Sequence, residues 1–314
     1  MESKIRGLHH VTAIANDPQR NLDFYVGLLG LRFVKRTVNF DDPGTYHFYF
    51  GDERGTPGTI LTFFPWPGAR RGSRGTGQIE STAFAISPGS IGYWHDRLKQ
   101  QQISAEKISR FDEEGIRFVD PDGLLLELIG SKSLAAIESW RDGPIPSEHS
   151  LRGFHSVSAA LEGYEKTARL IETFGYRLIA ESGNRFRFES SDEKAPGRII
   201  DLLCVPDAGF GNVAAGTVHH IAFRAKDDAE QLAWRKHLVD LGYNVTPVID
   251  RTYFHSVYFR EPGGVLFEIA TEPPGFTLDE KVEELGTHLR IPPWMESARS
   301  QIEKTLPPIQ VPGN

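Results

Sequence analysis

A pattern repeated four times confines this chain to a fold made of four copies of one small unit. One copy opens on Gly7-Leu-His9-His10-Val-Thr and another on Thr217-Val-His219-His220-Ile-Ala. In both, the second histidine is followed seven residues later by an aspartate, Asp17 or Asp227. A third opening, Gly153-Phe-His155-Ser-Val-Ser, keeps one histidine, and a weaker fourth, Ile79-Glu-Ser81-Thr-Ala-Phe, has serine at that place. The units also share an ending. It reads Arg117-Phe-Val-Asp-Pro-Asp-Gly123-Leu-Leu-Leu-Glu127 in one and Tyr258-Phe-Arg-Glu-Pro-Gly-Gly264-Val-Leu-Phe-Glu268 in another. Looser versions are Gly58-Thr-Ile-Leu-Thr62 and Gly197-Arg-Ile-Ile-Asp201. From opening to closing anchor each unit spans 46 to 52 residues.

Between the anchors, apolar residues recur at intervals of three and four over 18–29, 89–103, 162–174 and 227–241, the period of amphipathic helices. Asp17, Ser87 and Asp227 stand near the N-caps, and Gly30, Gly175 and Gly242 stand where the helices end. Strand-like segments joined by Pro/Gly turns follow each helix. The unit therefore reads strand–helix–strand–strand–strand, four times over. Linkers fall at 65–78, 131–152 and 205–216, and the longest supplies the midpoint boundary. We expect an N-terminal half, 1–146, with modules 1 and 2, and a C-terminal half, 147–275, with modules 3 and 4. The tail, 276–314, has one helical stretch at 278–285 and then proline-rich extended sequence, expected to wrap the surface or cover a partner subunit.

Composition excludes several classes. Charged residues are 25% and hydrophobic residues 39%, with a net charge of −7, which argues against a general nucleic-acid binder and a polybasic membrane surface. The single cysteine, Cys204, rules out an internal disulfide scaffold, a zinc ribbon or an iron–sulfur cluster, and fits a reducing cytoplasm. No apolar run approaches the ~18 residues of a membrane span, and the first ten residues hold no apolar signal core. The eleven histidines are the chemical resource.

A histidine on a first strand can face inward beside a carboxylate on a last strand. The available pairs are His10/Thr62, Ser81/Glu127, His155/Asp201 and His220/Glu268. If modules 1 and 4 pack together, the set is His10, His220 and Glu268, with Thr62 as a non-ligand. Two histidines and one carboxylate suit Fe(II) or Mn(II) and leave positions open. If modules 3 and 4 pack together, the set is His155, Asp201, His220 and Glu268, a more closed site. The matching doublets His9-His10 and His219-His220 favour the first. An unpaired carboxylate in Val-Leu-Phe-Glu268-Ile-Ala is costly to bury, and metal ligation or a salt bridge would remove that cost. Glu127, in a similar apolar run, reads as a structural relic.

The units resemble the vicinal oxygen chelate superfamily of glyoxalases, extradiol dioxygenases and fosfomycin-resistance proteins. The resemblance covers nearly all of residues 7–272. It is nearest to four-module ring-cleaving dioxygenases acting on hydroquinones, through Leu-His9-His10-Val-Thr, Arg32-Phe-Val-Lys-Arg-Thr-Val-Asn-Phe-Asp41, Val-His219-His220-Ile-Ala-Phe, Asp250-Arg251-Thr-Tyr-Phe-His-Ser-Val-Tyr258, and Phe-Glu268. It implies an α+β fold of four βαβββ modules forming paired half-open mixed β barrels, with metal on His10, His220 and Glu268 between modules 1 and 4. It also implies catalytic roles for His9, His219, Arg251 and Tyr258. Arg251 would stabilise a phenolate or oxyanion, Tyr258 would donate to bound substrate, and the two histidines would orient substrate or move protons. A residue next to a ligand on a regular strand points to the opposite face, so His9 and His219 need a bulge or a turn. Thr12, two residues from His10, shares its face and is expected to line the substrate pocket.

The implied activity is Fe(II)- and O2-dependent cleavage of a dihydroxylated aromatic ring, with hydroquinone favoured over catechol by the resemblance and not by spacing. Mn(II) is an alternative metal, and other divalent ions could enter during purification. The expected partners are the aromatic substrate and O2, with a homo-oligomer allowed and neither nucleic acid nor membrane. Two alternatives predict different observations. A glyoxalase-like lyase or isomerase needs a fourth protein ligand and no O2, and a non-catalytic binder of aromatic or electrophilic compounds needs no functional metal.

Overall fold

The computed structural model describes residues 4–192 and 195–312. The outermost residues of the expected first half and tail, 1–3 and 313–314, lie outside the described residues.

Module 1 comprises β1 (Leu8–Ala15), α1 (Pro18–Leu22), β2 (Arg32–Asn39), β3 (Asp42–Gly51) and β4 (Ile60–Pro65). Module 2 comprises β5 (Gln78–Ile86), α2 (Ile91–Gln100), β6 (Glu106–Arg110), β7 (Glu113–Val119) and β8 (Leu125–Gly130). Module 3 comprises β9 (Phe154–Leu161), α3 (Glu165–Thr173), β10 (Arg177–Ser182), β11 (Arg185–Glu189) and β12 (Ile199–Cys204). Module 4 comprises β13 (Val218–Ala225), α4 (Asp228–Asp240), β14 (Ile249–Asp250), β15 (Phe254–Arg260) and β16 (Leu266–Pro274). Each module follows the βαβββ order of the repeat, and the fold is α+β.

The modules assemble into two eight-stranded mixed sheets. One runs β14-β15-β16-β13-β1-β4-β3-β2 and joins modules 4 and 1. The other runs β10-β11-β12-β9-β5-β8-β7-β6 and joins modules 3 and 2. Within each module the first and last strands pair in parallel, and the modules meet through antiparallel first strands, β1 with β13 and β5 with β9. Both faces of these central strands are largely covered, so apolar and small residues surround the few polar ones they carry. All eight residues of β1 and of β9 are buried.

The local signals act as their chemistry dictates. Asp17 and Asp227 each accept a hydrogen bond from the backbone three residues on, at 2.7 and 2.9 Å, and so cap α1 and α4. Ser87 makes no such bond and precedes a single 3-10 turn. The shared Asp-Pro-Asp-Gly and Glu-Pro-Gly-Gly turns put Gly123 and Gly264 at φ +98° and +103°, which a side chain would resist. The first helix is shorter than its sequence period, because α1 passes into a π-helical turn at Asp23–Leu28. That turn sinks Tyr25 against Phe50 and Phe63 and sends its hydroxyl to Asp120 of the other sheet, 3.0 Å away.

The linkers at 65–78 and 205–216 cross between the sheets and pair with each other through Gly72 to Ala215 and Ser73 to Asn212. The helix expected at 278–285 does not form. That stretch makes short 3-10 turns at Phe276–Leu278 and Val282–Glu284, because Asp279 and Glu280 between them turn inward onto the buried Lys35. The tail then lies along module 1. Tyr46 donates to Pro307 O at 2.9 Å, and α5 (Arg299–Thr305) packs on β3.

Burial pushes the Asp120 carboxyl up to about 6, with Asp122 adding to the effect and the Leu124 N–H and Tyr25 hydroxyl opposing it. The folded chain therefore holds this proton more tightly than the unfolded chain, whose aspartates titrate near ~3.9. The resulting stabilisation is complete below that value and is lost as pH rises through about 6. Asp120→Asn keeps an acceptor and carries no charge. It should gain about 3 kcal/mol on wild type between pH 4 and 7. Urea unfolding at the two pH values measures this, and an unchanged difference contradicts it.

Candidate metal centre

Alternation along the strands decides what faces the concave side of the first sheet. On β4, Leu61 and Phe63 turn to the aromatic core while Ile60 lies in the separate cluster on the other face, with Tyr49, Phe254 and Ala270. Glu268 on β16 sits beside Ala222 of β13, and Tyr258 of β15 sits beside Glu268.

The β1–β13 junction carries two bulges. Leu8 faces Phe223 and His10 faces Ala222, so His9 is an extra residue; Thr12 faces His220 and Ala13 faces Val218, so His219 is another. A bulge re-aims a side chain and lets both members of each doublet approach the same site. His9 Nδ1 lies 3.0 Å from His10 Nδ1, and His219 Nδ1 lies 2.7 Å from His220 Nδ1.

The other ring nitrogens converge. His10 Nε2 and His220 Nε2 are 3.2 Å apart, and they stand 3.2 and 2.9 Å from Glu268 Oε2. All three residues are buried, Glu268 completely. Glu268 Oε1 accepts from Ser256 Oγ at 2.5 Å, but Oε2 makes no aligned hydrogen bond. A buried carboxylate oxygen left so costs several kcal/mol unless a cation meets it. The spacing suits one ion: three ligands at right angles, each about 2.1 Å from a centre, stand about 3.0 Å apart. A histidine ligating through Nε2 carries its proton on Nδ1, and the neighbouring Nδ1 of His9 or His219 is the acceptor that would fix this tautomer. Among the described residues, His10, His220 and Glu268 are the group so arranged.

Burial works against charge on Glu268, yet His10 and His220 hold its carboxyl well below the usual range. Burial lowers His220, with Glu268 opposing, and takes His219 down to about 3. The first favours the unprotonated ligand that a metal requires, and the second keeps His219 free to accept from His220.

Above this floor lies a cavity of about 320 Å³ lined by His10, Asn39, Phe40, Asp41, His47, Tyr49, Phe64, Trp66, His219, His220, Arg251, Phe254, Tyr258 and Leu266. Arg251 Nε donates to the Tyr258 hydroxyl at 3.3 Å, and Arg251 Nη1 reaches Asp41 at 3.1 Å. Burial, and then the Glu268 charge, raise Tyr258, so the phenol keeps its proton at neutral pH.

The structure thus brings His10, His220, His219, Arg251 and Tyr258 to one cavity, with Glu268 against the two ligand-place histidines beneath its lining. His9 lies behind His10, against Phe254, outside the lining. Thr12 is fully buried and likewise outside the lining, its hydroxyl 2.9 Å from Thr62 Oγ1. Of the aromatic residues near the mouth, Tyr49, Phe64 and Phe254 line the cavity, whereas Phe48, Phe63 and Phe267 are core. His47 had no spacing to single it out, but strand register brings it in. Its Nε2 contacts Thr62 Oγ1 and its Nδ1 contacts the Tyr49 hydroxyl, each at 2.9 Å.

His155 stands elsewhere than the ligand place. It is the bulged residue of β9, matching His9 and His219, and Ser156 takes the ligand position. In this second sheet, the counterparts of Glu268 are Glu127 and Asp201. Glu127 is held by Arg110 and Arg117, and Asp201 by Arg185 and Arg187. Arginines there do what a cation would do in the first sheet.

Residues 7–128 and 134–269 match the Glyoxalase/Bleomycin resistance protein/Dioxygenase superfamily. The chain belongs to that superfamily. It is similar to MhqO of Bacillus subtilis strain 168, provisionally named a ring-cleaving dioxygenase, at 47% identity over 99% of both chains. It is also similar to the chlorohydroquinone/hydroquinone 1,2-dioxygenase of Sphingobium indicum, at 34% identity over 98% of this chain and 97% of that one. Its place is among the ring-cleaving dioxygenases of the superfamily. A crystal structure from Bacillus subtilis, provisionally described as a dioxygenase, is 47% identical and covers 98% of this chain and 99% of that one with a TM-score of 0.95. Glyoxalase I from Zea mays, 14% identical with a TM-score of 0.64 over 90% of this chain and 97% of that one, shares the fold alone.

His220→Ala and Glu268→Ala should each lower bound divalent metal from about one ion per chain to under about a tenth. Glu127→Ala should leave metal content unchanged while costing about 3 kcal/mol, since Arg110 and Arg117 lose their shared partner. Elemental analysis and urea unfolding read both quantities, and equal metal loss in all three variants would contradict the assignment.

Proposed function

We propose that this protein uses O2 to open the ring of a dihydroxylated aromatic, a hydroquinone in preference to a catechol, at Fe(II) held by His10, His220 and Glu268. The observation that carries the proposal is the orphaned Glu268 oxygen, facing two imidazole nitrogens beneath an aromatic-walled cavity. Fe(II) bound there would supply a Lewis acid for a ring hydroxyl and an electron path from ring to O2.

The chain's own residues do the rest. Phe64 and Phe254 flank the ring, and the cavity has room for one substituted benzene ring. Tyr258 stays protonated and donates to a ring oxygen. Arg251, charged and fixed by Tyr258 and Asp41, pairs with the negative charge of the bound ring oxygen and so holds the substrate. His219, whose Nδ1 accepts from His220, carries its proton on Nε2 and offers that N–H to a substrate oxygen. His9 acts through His10, and Thr12 acts through Thr62, which carries the His47 contact. A cytoplasmic location accompanies this reading.

The lyase alternative lacks its fourth ligand, because the equivalent position is Thr62, whose hydroxyl is shared by Thr12 and His47. An oxygen electrode with anaerobically iron-loaded protein distinguishes the readings. Uptake of about one O2 per hydroquinone is expected, with both oxygen atoms in the product. No uptake across a panel of hydroquinones and catechols would sink the proposal.

A further inference from the structure

The turn 251–254 presents two residues to the cavity, Arg251 and Phe254, while Tyr253, one of the two between them, lies outside the lining. Its own hydrogen bonds are short-range: Arg251 N to Phe254 O at 3.0 Å and Tyr253 N to Arg251 O at 2.8 Å. Thr252 sits at φ +69°, a conformation that a β-branched residue keeps only where the surroundings enforce it. Asp250 Oδ1 accepts from Thr252 N at 2.6 Å, and Tyr253 anchors the same turn from its other side. This ring is buried, 5.2 Å from Phe276 and with Lys35 Nζ 4.8 Å from its centroid. Its hydroxyl donates to Asp279 Oδ2 at 3.0 Å, and its carbonyl accepts from Gly275 N at 2.9 Å. The other oxygen of Asp279 takes Lys35 Nζ at 2.7 Å, and Glu280 takes the same ammonium. Lys35 is fully buried on β2, so these two tail carboxylates are its charge partners. The start of the tail is thereby fastened to module 1, and the module 4 turn is caught between them.

We propose that the tail acts as a clasp for the active site, with Tyr253 and Asp279 as positioning residues that set Arg251 and Phe254 against the substrate. The proposal rests on the ring-cleaving reading for what Arg251 and Phe254 do. The metal ligands stand on β1, β13 and β16, so loosening the clasp leaves the metal in place and weakens the hold on the ring.

The test compares full-length wild type with Tyr253→Phe, which removes one hydroxyl, Asp279→Asn, which weakens both the Tyr253 and Lys35 contacts, and the double variant. Amide exchange at 251–254 should quicken about tenfold in either single variant, with exchange in β1 and β13 unchanged. The KM for hydroquinone should rise about fivefold, with kcat within about twofold and iron content equal. The double variant should be no worse than the worse single, because both changes release one clasp. Unchanged exchange at 251–254 overturns the proposal, as does quickened exchange with an unaltered KM. A wild type that consumes no O2 defeats the ring-cleaving reading instead. The clasp is then judged by amide exchange and by the Kd for hydroquinone, and Tyr253→Phe suffices if the double variant does not fold.

Discussion

The antiparallel junction of β1 with β13 is the constraint on which the rest depends. Two first strands from opposite ends of the repeat lie side by side, each with one bulged histidine and one regular histidine. Their near-symmetry places His10 and His220 within 3.2 Å of each other. The parallel pairing of β13 with β16 then brings Glu268 to the same point. Without the bulges the doublets would split across the sheet, and each ligand histidine would lose the acceptor behind its ring.

The second sheet is an internal control, with the same strand order, the same bulged junction and the same carboxylate positions. There Ser81 and Ser156 replace the ligand histidines, while Arg117 and Arg187 occupy the register position of Tyr258 beside Glu127 and Asp201. Buried carboxylates must be compensated in both sheets. One sheet does it with arginines from its own neighbouring strands, and the other leaves an oxygen facing two imidazoles. One architecture thus serves as scaffold in one sheet and carries the candidate metal site in the other.

Much of this was legible in the residues. The repeat spacing held the βαβββ order, and the doublets pointed to the pairing of modules 1 and 4 that the sheet order displays. The demand for a bulge or a turn at His9 and His219 came from strand periodicity set against the roles that the family resemblance implies for them. Other features depend on register or on distant contacts. His155 looked like a ligand-place histidine because sequence spacing does not reveal which residue of a strand is the inserted one. His47 belongs to no repeated motif and enters the cavity through the pairing of β3 with β4. The stretch 278–285 has helical composition, but Lys35, more than 240 residues earlier, draws Asp279 and Glu280 out of a helix. Thr12 shares a face with His10, as alternation requires, and is covered there by Thr62, a neighbour that only the folded sheet supplies.

X-ray absorption at the iron edge, on protein loaded with Fe(II) without air, tests the central claim most directly. The account predicts a first coordination sphere with two imidazoles and oxygen donors at about 2.0–2.2 Å, and loss of that bound ion in His10→Ala. A sphere with three or more imidazoles, or one that His10→Ala leaves unaltered, would contradict it.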